Sequence, residues 1–199
     1  MVYIDGFNLY FGLKSKAWKK YYWLNLQKSA SNILKVNQVL VLTKYFTSRI
    51  SDPPAKNQRQ KAYIEALETL QNFNIYYGKY QSNSRICKRC GNVELIPNEK
   101  MTDVNIAVEM LTDAFENKFD TAILISADSD LTAPISSVLR LFPHKKVILA
   151  FPPDRFSYSL KSISSASLTI GRRNFDKSLF PDTVIKKDGF VLRKPERWT

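Results

Sequence analysis

At 199 residues, 44% of them hydrophobic, the chain is long enough to bury one well-packed core and too short for two full domains. Its 30 Lys and Arg against 18 Asp and Glu leave a formal charge of +12, which calls for a polyanionic partner: nucleic acid first, an acidic membrane surface second. No apolar run approaches the roughly 18 residues of a membrane helix, Met1-Val-Tyr-Ile is followed at once by Asp5, and two cysteines are too few for a secreted disulfide framework, so the reading is a cytoplasmic protein with no membrane partner.

Tyr3-Ile4 opens a short strand that Asp5-Gly6 ends, with the neutral oxygen donor Asn8 close behind. Between Gly6 and Ser51 stand eight basic residues and no acid. Lys14, Lys16, Trp18, Lys19 and Lys20 interleave charge with rings there, a pattern suited to a single nucleic-acid strand, although some rings of Trp18-Lys-Lys-Tyr-Tyr-Trp23 must be core. A partly helical segment from Leu24 to Leu40 runs through Leu26, Ala30, Ile33 and Leu34. A strand over Val39–Phe46 follows, then a break at Ser51-Asp-Pro-Pro54 and a helix over Asn57–Asn72 with Ala62, Tyr63, Ala66, Leu67 and Leu70 on one face. Asn74–Tyr80 is a third strand, and this alternation predicts a parallel sheet between helices.

Residues 82–98 interrupt the alternation with Cys87-Lys-Arg-Cys90-Gly91, flanked by Arg85, Lys88 and Arg89, and Val93–Ile96 can return as a hairpin. A closed zinc site needs four ligands, and the chain's other candidate is His144 alone. A Zn²⁺ shared between two chains, an oxidisable pair, a relic, and two quiet thiols all remain readings of Cys87 and Cys90. The next helix begins at a cap, Thr102 or Asp103, with Val104, Ala107, Val108, Leu111, Ala114 and Phe115 inward. It feeds the apolar strand Ala122–Ile125, which ends at Ser126, Asp128 and Asp130. Asp130 can also cap the following helix, with Leu131, Ile135, Val138, Leu139 and Phe142 at helical spacing. Lys145–Phe151 is a further strand, then a helix near Phe156–Ile163 and a short strand at Leu168–Ile170. The basic stretch 171–199 shows little periodicity and reads as an extended arm on the domain or a partner.

Two carboxylates one residue apart, at the carboxyl end of a buried strand, repel each other unless something cationic lies between them, usually a hard divalent metal. The topology brings Asp5, Asp103, Asp128 and Asp130 to one edge of one sheet. Acids of that kind inside a basic protein suit a phosphodiesterase using Mg²⁺ or Mn²⁺.

Three segments carry a family resemblance: Tyr3-Ile-Asp-Gly-Phe-Asn-Leu-Tyr10, Glu99-Lys-Met-Thr-Asp-Val104 and Ile123-Leu-Ile-Ser-Ala-Asp-Ser-Asp130. Together they resemble the signature of the NYN domain, the branch of the PIN-like nuclease superfamily that includes the DUF88 and LabA-like bacterial proteins. The resemblance implies a three-layer α/β/α domain over residues 1–170, with 82–98 as an insertion and 171–199 as a basic extension outside it. It also implies metal-dependent cleavage of RNA, with Asp5, Asp103, Asp128 and Asp130 as metal ligands and Asn8 and Ser126 as polar companions. Ala127 and Leu131 depart from the pattern without removing a ligand. Two other readings compete: an idle RNA-binding module on the same surface, and a Toprim-like fold, which expects a glutamate where Asp5 stands. A homodimer is compatible with the shallow acidic edge and the loose tail.

Overall fold

A computed structural model describes residues 1–86 and 88–198, the side chains of 80–83, 85 and 94–99 standing outside that description. In chain order the elements are β1 (Val2–Asp5), α1 (Gly6–Ser15), a 3-10 turn (Lys19–Trp23), α2 (Leu26–Ser31), β2 (Thr43–Thr47), α3 (Pro54–Leu67) and β3 (Phe73–Tyr77). Next come β4 (Lys79–Ile86), β5 (Val93–Lys100), α4 (Thr102–Phe115), β6 (Thr121–Ile125), a 3-10 turn (Ser129–Leu131), α5 (Thr132–Leu141), β7 (Lys146–Phe151), α6 (Tyr158–Ile163) and β8 (Ala166–Thr169). The chain closes with α7 (Arg172–Asp176), β9 (Thr183–Ile185), β10 (Val191–Arg193) and a last 3-10 turn (Glu196–Trp198).

The main sheet has the order β3-β2-β1-β6-β7-β8, every pair parallel. From β1 the chain winds one way through β2 and β3, and from β6 the other way through β7 and β8. The reversal falls between β1 and β6, and in doubly wound sheets ligands bind outside the carboxyl ends at that switch point. Strand periodicity divides the core cleanly. Val2, Ile4, Tyr45, Ile123, Ile125 and Ala150 pack on the face covered by α1, α2 and α3. Tyr3, Phe46, Ala122, Leu124, Val147 and Leu149 pack on the face covered by α4, α5 and α6. This is the three-layer α/β/α architecture expected from the alternation.

Four details differ from the sequence reading. Strand β2 starts only at Thr43, and Val39 and Val41 are exposed, because β1 is too short to pair with anything earlier. Helix α4 turns a different face inward: Ile106, Met110 and Ala114 are buried with Asp113, whereas Val104, Val108 and Phe115 are exposed. The reason is electrostatic. Lys44 points from β2 into this layer, and burying Asp113 beside it at 2.5 Å satisfies both charges. The residue before α4 is Met101, left-handed at φ 78°, so neither Thr102 nor Asp103 caps the helix. Finally, residues 171–198 are no extended arm. They form α7 and the β9–β10 hairpin, and Phe175, Phe180, Val184 and Leu192 join the core cluster on the α1 face.

Strands β4 and β5 pair antiparallel, Lys79 opposite Lys100 through Ile86 opposite Val93, the hairpin return that the segment's pattern suggested. Among the described residues no helix is long and apolar enough to cross a membrane.

Candidate functional site

Asp5 ends β1 and caps α1, its carboxylate accepting the Asn8 backbone N–H at 2.9 Å, which is why the strand gives way to a helix at Gly6. Gly6 is required by packing: a Cβ there would stand 2.6 Å from the Phe46 carbonyl oxygen of the neighbouring strand. The Asn8 side-chain amide donates to Asp5 at 3.0 Å and the Ser126 hydroxyl at 2.9 Å. Ser126, wholly buried at the end of β6, accepts in turn from the Asp128 N–H at 3.0 Å, and Asn8 Oδ1 accepts from the Ala127 N–H at 3.3 Å. The ends of the two strands that flank the switch point are thereby tied together through Asp5, Asn8 and Ser126.

Asp5 is only 2% exposed. Burial raises its carboxyl above the ordinary carboxylate range, against the three hydrogen bonds that favour the ionised form, and the Asp128 charge adds to the rise. Asp128 caps the 3-10 turn after β6, accepting from the Asp130 N–H at 3.0 Å. Asp130 does not cap α5 as expected: the residue before that helix is Leu131, the side-chain cap here is that of Asp128 on the 3-10 turn, and Asp130 is exposed. Asp103 lies in the first turn of α4 and is half-buried. That helix runs back from the carboxyl edge to the start of β6, and the neighbouring Asn105 side chain donates to the Tyr77 carbonyl at the end of β3, 3.4 Å away. All four acids thus belong to one edge of the sheet. Among the described residues, however, no three acids, histidines or cysteines stand close enough together to hold an ion. The structure joins Asp5, Asn8, Ser126 and Asp128 in one hydrogen-bonded unit, which Asp130 meets through its backbone N–H, while Asp103 stands in the first turn of α4.

The basic candidates separate into groups. Lys16 pairs with Asp154 at 3.0 Å and Lys20 with Asp176 at 2.7 Å. Trp18 is half-buried against Tyr21 and Phe175 with the Arg172 guanidinium over its ring, which makes it largely a packing residue. Lys14 and Lys19 instead line a cleft of about 640 Å³ between α1 and α3, together with Lys56, Arg59 and Arg197. Sequence reading missed those last three cations and the rings of Tyr10 and Trp198 beside them. The one available signal was the spacing of Lys56 and Arg59, three apart at the start of α3; nothing local connects the chain's end to that helix. Lys88, Arg89 and the free thiol Cys90 are exposed at the hairpin turn. Cys87 and the Arg85 side chain lie outside the described residues, and with them the question of a zinc or redox pair.

A parallel sheet wound both ways from β1, with acids set along its carboxyl edge at the reversal, has the α/β architecture of the PIN-like class. The chain belongs to the NYN domain family, whose model matches residues 1–170. It is also similar to the crystal structure of a protein of unknown function from Vibrio parahaemolyticus, with a TM-score of 0.55 and 17% identity over 90% of this chain and 94% of that one. At that identity the likeness speaks for the fold alone. No curated protein matches the chain.

Proposed function

We propose that the protein is a metal-dependent ribonuclease that hydrolyses RNA phosphodiester bonds at the carboxyl edge between β1 and β6. The observation that carries this reading is Asp5: a buried carboxylate at the topological switch point, tied through the Ser126 hydroxyl to the backbone N–H of Asp128 and raised in pKa partly by the Asp128 charge, in a chain of formal charge +12.

The donors fit a hard divalent cation. All are oxygens, and the Asp128 charge adds to the cost of ionising Asp5 in a way that a cation relieves. Asp5 and Asp128 would hold Mg²⁺ or Mn²⁺ directly, with Asp103 brought in from the first turn of α4 and Asp130 engaged through water. A divalent ion bound there supplies a water of lowered pKa and neutralises the phosphate. Asn8 and Ser126 fix the Asp5 carboxylate by three hydrogen bonds, so that it meets a ligand without reorienting. His144 precedes β7 at the amino end of the sheet, and no imidazole base lies near the acids.

The test is a panel of single- and double-stranded RNAs incubated with Mg²⁺, Mn²⁺ or EDTA. Wild-type protein is expected to cleave only with metal. Asp5→Asn and Asp128→Asn should fall to background while keeping the fold and binding RNA at least as tightly, since each removes a charge that repels phosphate. Unchanged cleavage in either variant sinks the assignment. The absence of a three-acid group among the described residues favours a second reading, an RNA-binding module without catalysis. That reading predicts salt-dependent binding and no metal-dependent product.

A further inference from the structure

The cleft between α1 and α3 lies at the same carboxyl edge but on the opposite face of the sheet from α4. Gly6 and Phe7, the two residues after Asp5, contribute to its lining, as does Thr47 at the end of β2. Its chemistry is unlike that of the acidic edge. Five cations line it, Lys14, Lys19, Lys56, Arg59 and Arg197, and no acid does. Among the described residues none of the five forms an ion pair, whereas Lys16 and Lys20 on the same stretch are both neutralised by aspartates.

The cations converge. Burial lowers the Lys56 ammonium below its ordinary value, and the like charges of Lys14 and Arg59 lower it further. Tyr10 feels both Arg59 and Arg197 across the cleft. Beside the charges stands a wall of rings: Tyr10 against Tyr22 at 5.1 Å between centroids, and Tyr22 against Trp198 at 5.9 Å. Trp198 comes from the last turn of the chain and also packs on Tyr63 at 6.1 Å, so the C-terminus completes this wall. Converging positive charges next to half-buried rings match a group that is anionic at one end and flat and aromatic at the other. A volume of about 640 Å³ is in the usual range for a small-molecule site.

Resting on the ribonuclease reading of the acidic edge, we propose that this cleft binds one unpaired nucleotide, its base stacked on the Tyr10, Tyr22 and Trp198 wall and its phosphate held by Lys14, Lys56 and Arg59. A base in a duplex has its faces covered by neighbours, so the cleft selects single strands, and Gly6 carries the bound strand toward Asp5. The same chemistry is offered by a free nucleoside monophosphate, and the experiment separates the two sources.

Binding is measured in EDTA, where cleavage plays no part, by fluorescence anisotropy of a labelled single-stranded RNA 10-mer, the matching duplex, and competition by AMP and by inorganic phosphate. The 10-mer is expected to bind at least ten-fold more tightly than the duplex and to be displaced by AMP but not by phosphate. Lys56→Ala/Arg59→Ala should weaken it about ten-fold or more and lower the salt slope by about 0.7 per cation removed. Trp198→Ala should weaken binding with the salt slope unchanged, and Lys146→Ala, a single charge loss at the amino end of the sheet, should change little. Circular dichroism melts confirm that each variant is folded. If AMP alone matches the 10-mer, the cleft is a free-nucleotide site; a ten-fold advantage of the strand makes it the strand's entry. Equal binding of duplex and single strand, displacement by phosphate as efficient as by AMP, or unchanged affinity in both cleft variants overturns the proposal. These outcomes stand whether or not the wild-type protein cleaves RNA, so failure of the cleft and failure of the nuclease reading are told apart.

Discussion

Burial raises the proton affinity of Asp5, and Ser126 helps to hold it down. Its hydroxyl is one of three donors that hold the Asp5 carboxylate ionised against burial, and it is also the acceptor for the Asp128 N–H. Because the folded Asp5 carboxyl is raised above the ordinary 3.8, it binds its proton more tightly in the native state than in the unfolded chain. In chelator that contributes stability which is fully present below pH 3.8 and is lost as pH rises through the folded value. A divalent cation needs the ionised form, so the gain in Tm on adding Mg²⁺ should be small at the acid end and grow across that same window. Ser126→Ala removes a donor, raises the carboxyl further, and should move both this window and the acid limb of the cleavage profile to higher pH. Loss of such a supporting contact typically costs about 10- to 100-fold in metal affinity or activity. Melting curves with Mg²⁺ and with EDTA from pH 4 to 8 decide it: identical windows for variant and wild type would remove Ser126 from this role.

Helix α4 is held on the sheet by an ionic network that hydrophobic periodicity does not reveal. Lys44 of β2 is 4% exposed at its side chain and pairs with Asp113 at 2.5 Å and Glu109 at 2.6 Å, while the Tyr3 hydroxyl donates to Asp113 at 2.7 Å. Breaking a buried pair from one side leaves an uncompensated charge, which costs about 3–5 kcal/mol, whereas replacing both partners by apolar groups is often neutral. Lys44→Met should therefore lower unfolding stability by roughly that amount in urea, and Lys44→Met/Asp113→Leu should recover most of it. A single-variant loss below about 1 kcal/mol would mean that the pair does not hold the helix. The same network marks the boundary of what the sequence made legible. The strands β1, β6 and β7, and the helices α3 and α5, follow from short apolar runs and helical spacing that burial then enforces. For α4 the spacing of Val104, Ala107, Val108 and Leu111 pointed to one face, but a lysine on a strand 65 residues from its Glu109 partner turned the helix to another. Asp5, Asn8, Ser126 and Asp128 were legible because each is at a strand end or within three residues after it, and the topology brings those ends together. Lys56, Arg59 and Trp198 were not, since a cleft closed by the first, third and last helical segments is a property of the folded chain and of no local pattern.

At the scale of the molecule, the C-terminal stretch is part of the domain although the family match stops at residue 170. The Trp23 indole donates to the Pro181 carbonyl at 2.8 Å, the Asn25 N–H to Ser178 at 2.8 Å, and the Phe180 N–H to Trp23 at 3.1 Å, while Leu24 bridges Leu179. The residues that the tail grips, Trp23, Leu24 and Leu26, are almost wholly buried and would meet water without it. Phe175, Phe180, Val184 and Leu192 bring four buried apolar side chains of their own, each stabilising by roughly 1.5–3 kcal/mol. Their sum is comparable to the 5–15 kcal/mol by which a whole domain is stable. A chain ended after Ile170 should accordingly lose its cooperative melt, and restoring residues up to Arg193 should return most of it. The two truncations also separate folding from the nucleotide cleft, because a chain ended at Arg193 keeps the four core residues but lacks Arg197 and Trp198. It should melt close to the full-length protein, retain any metal-dependent cleavage at saturating RNA, and bind the single-stranded 10-mer no more tightly than Trp198→Ala does. A cooperative melt in the chain ended at Ile170 would show instead that the fold closes without its tail.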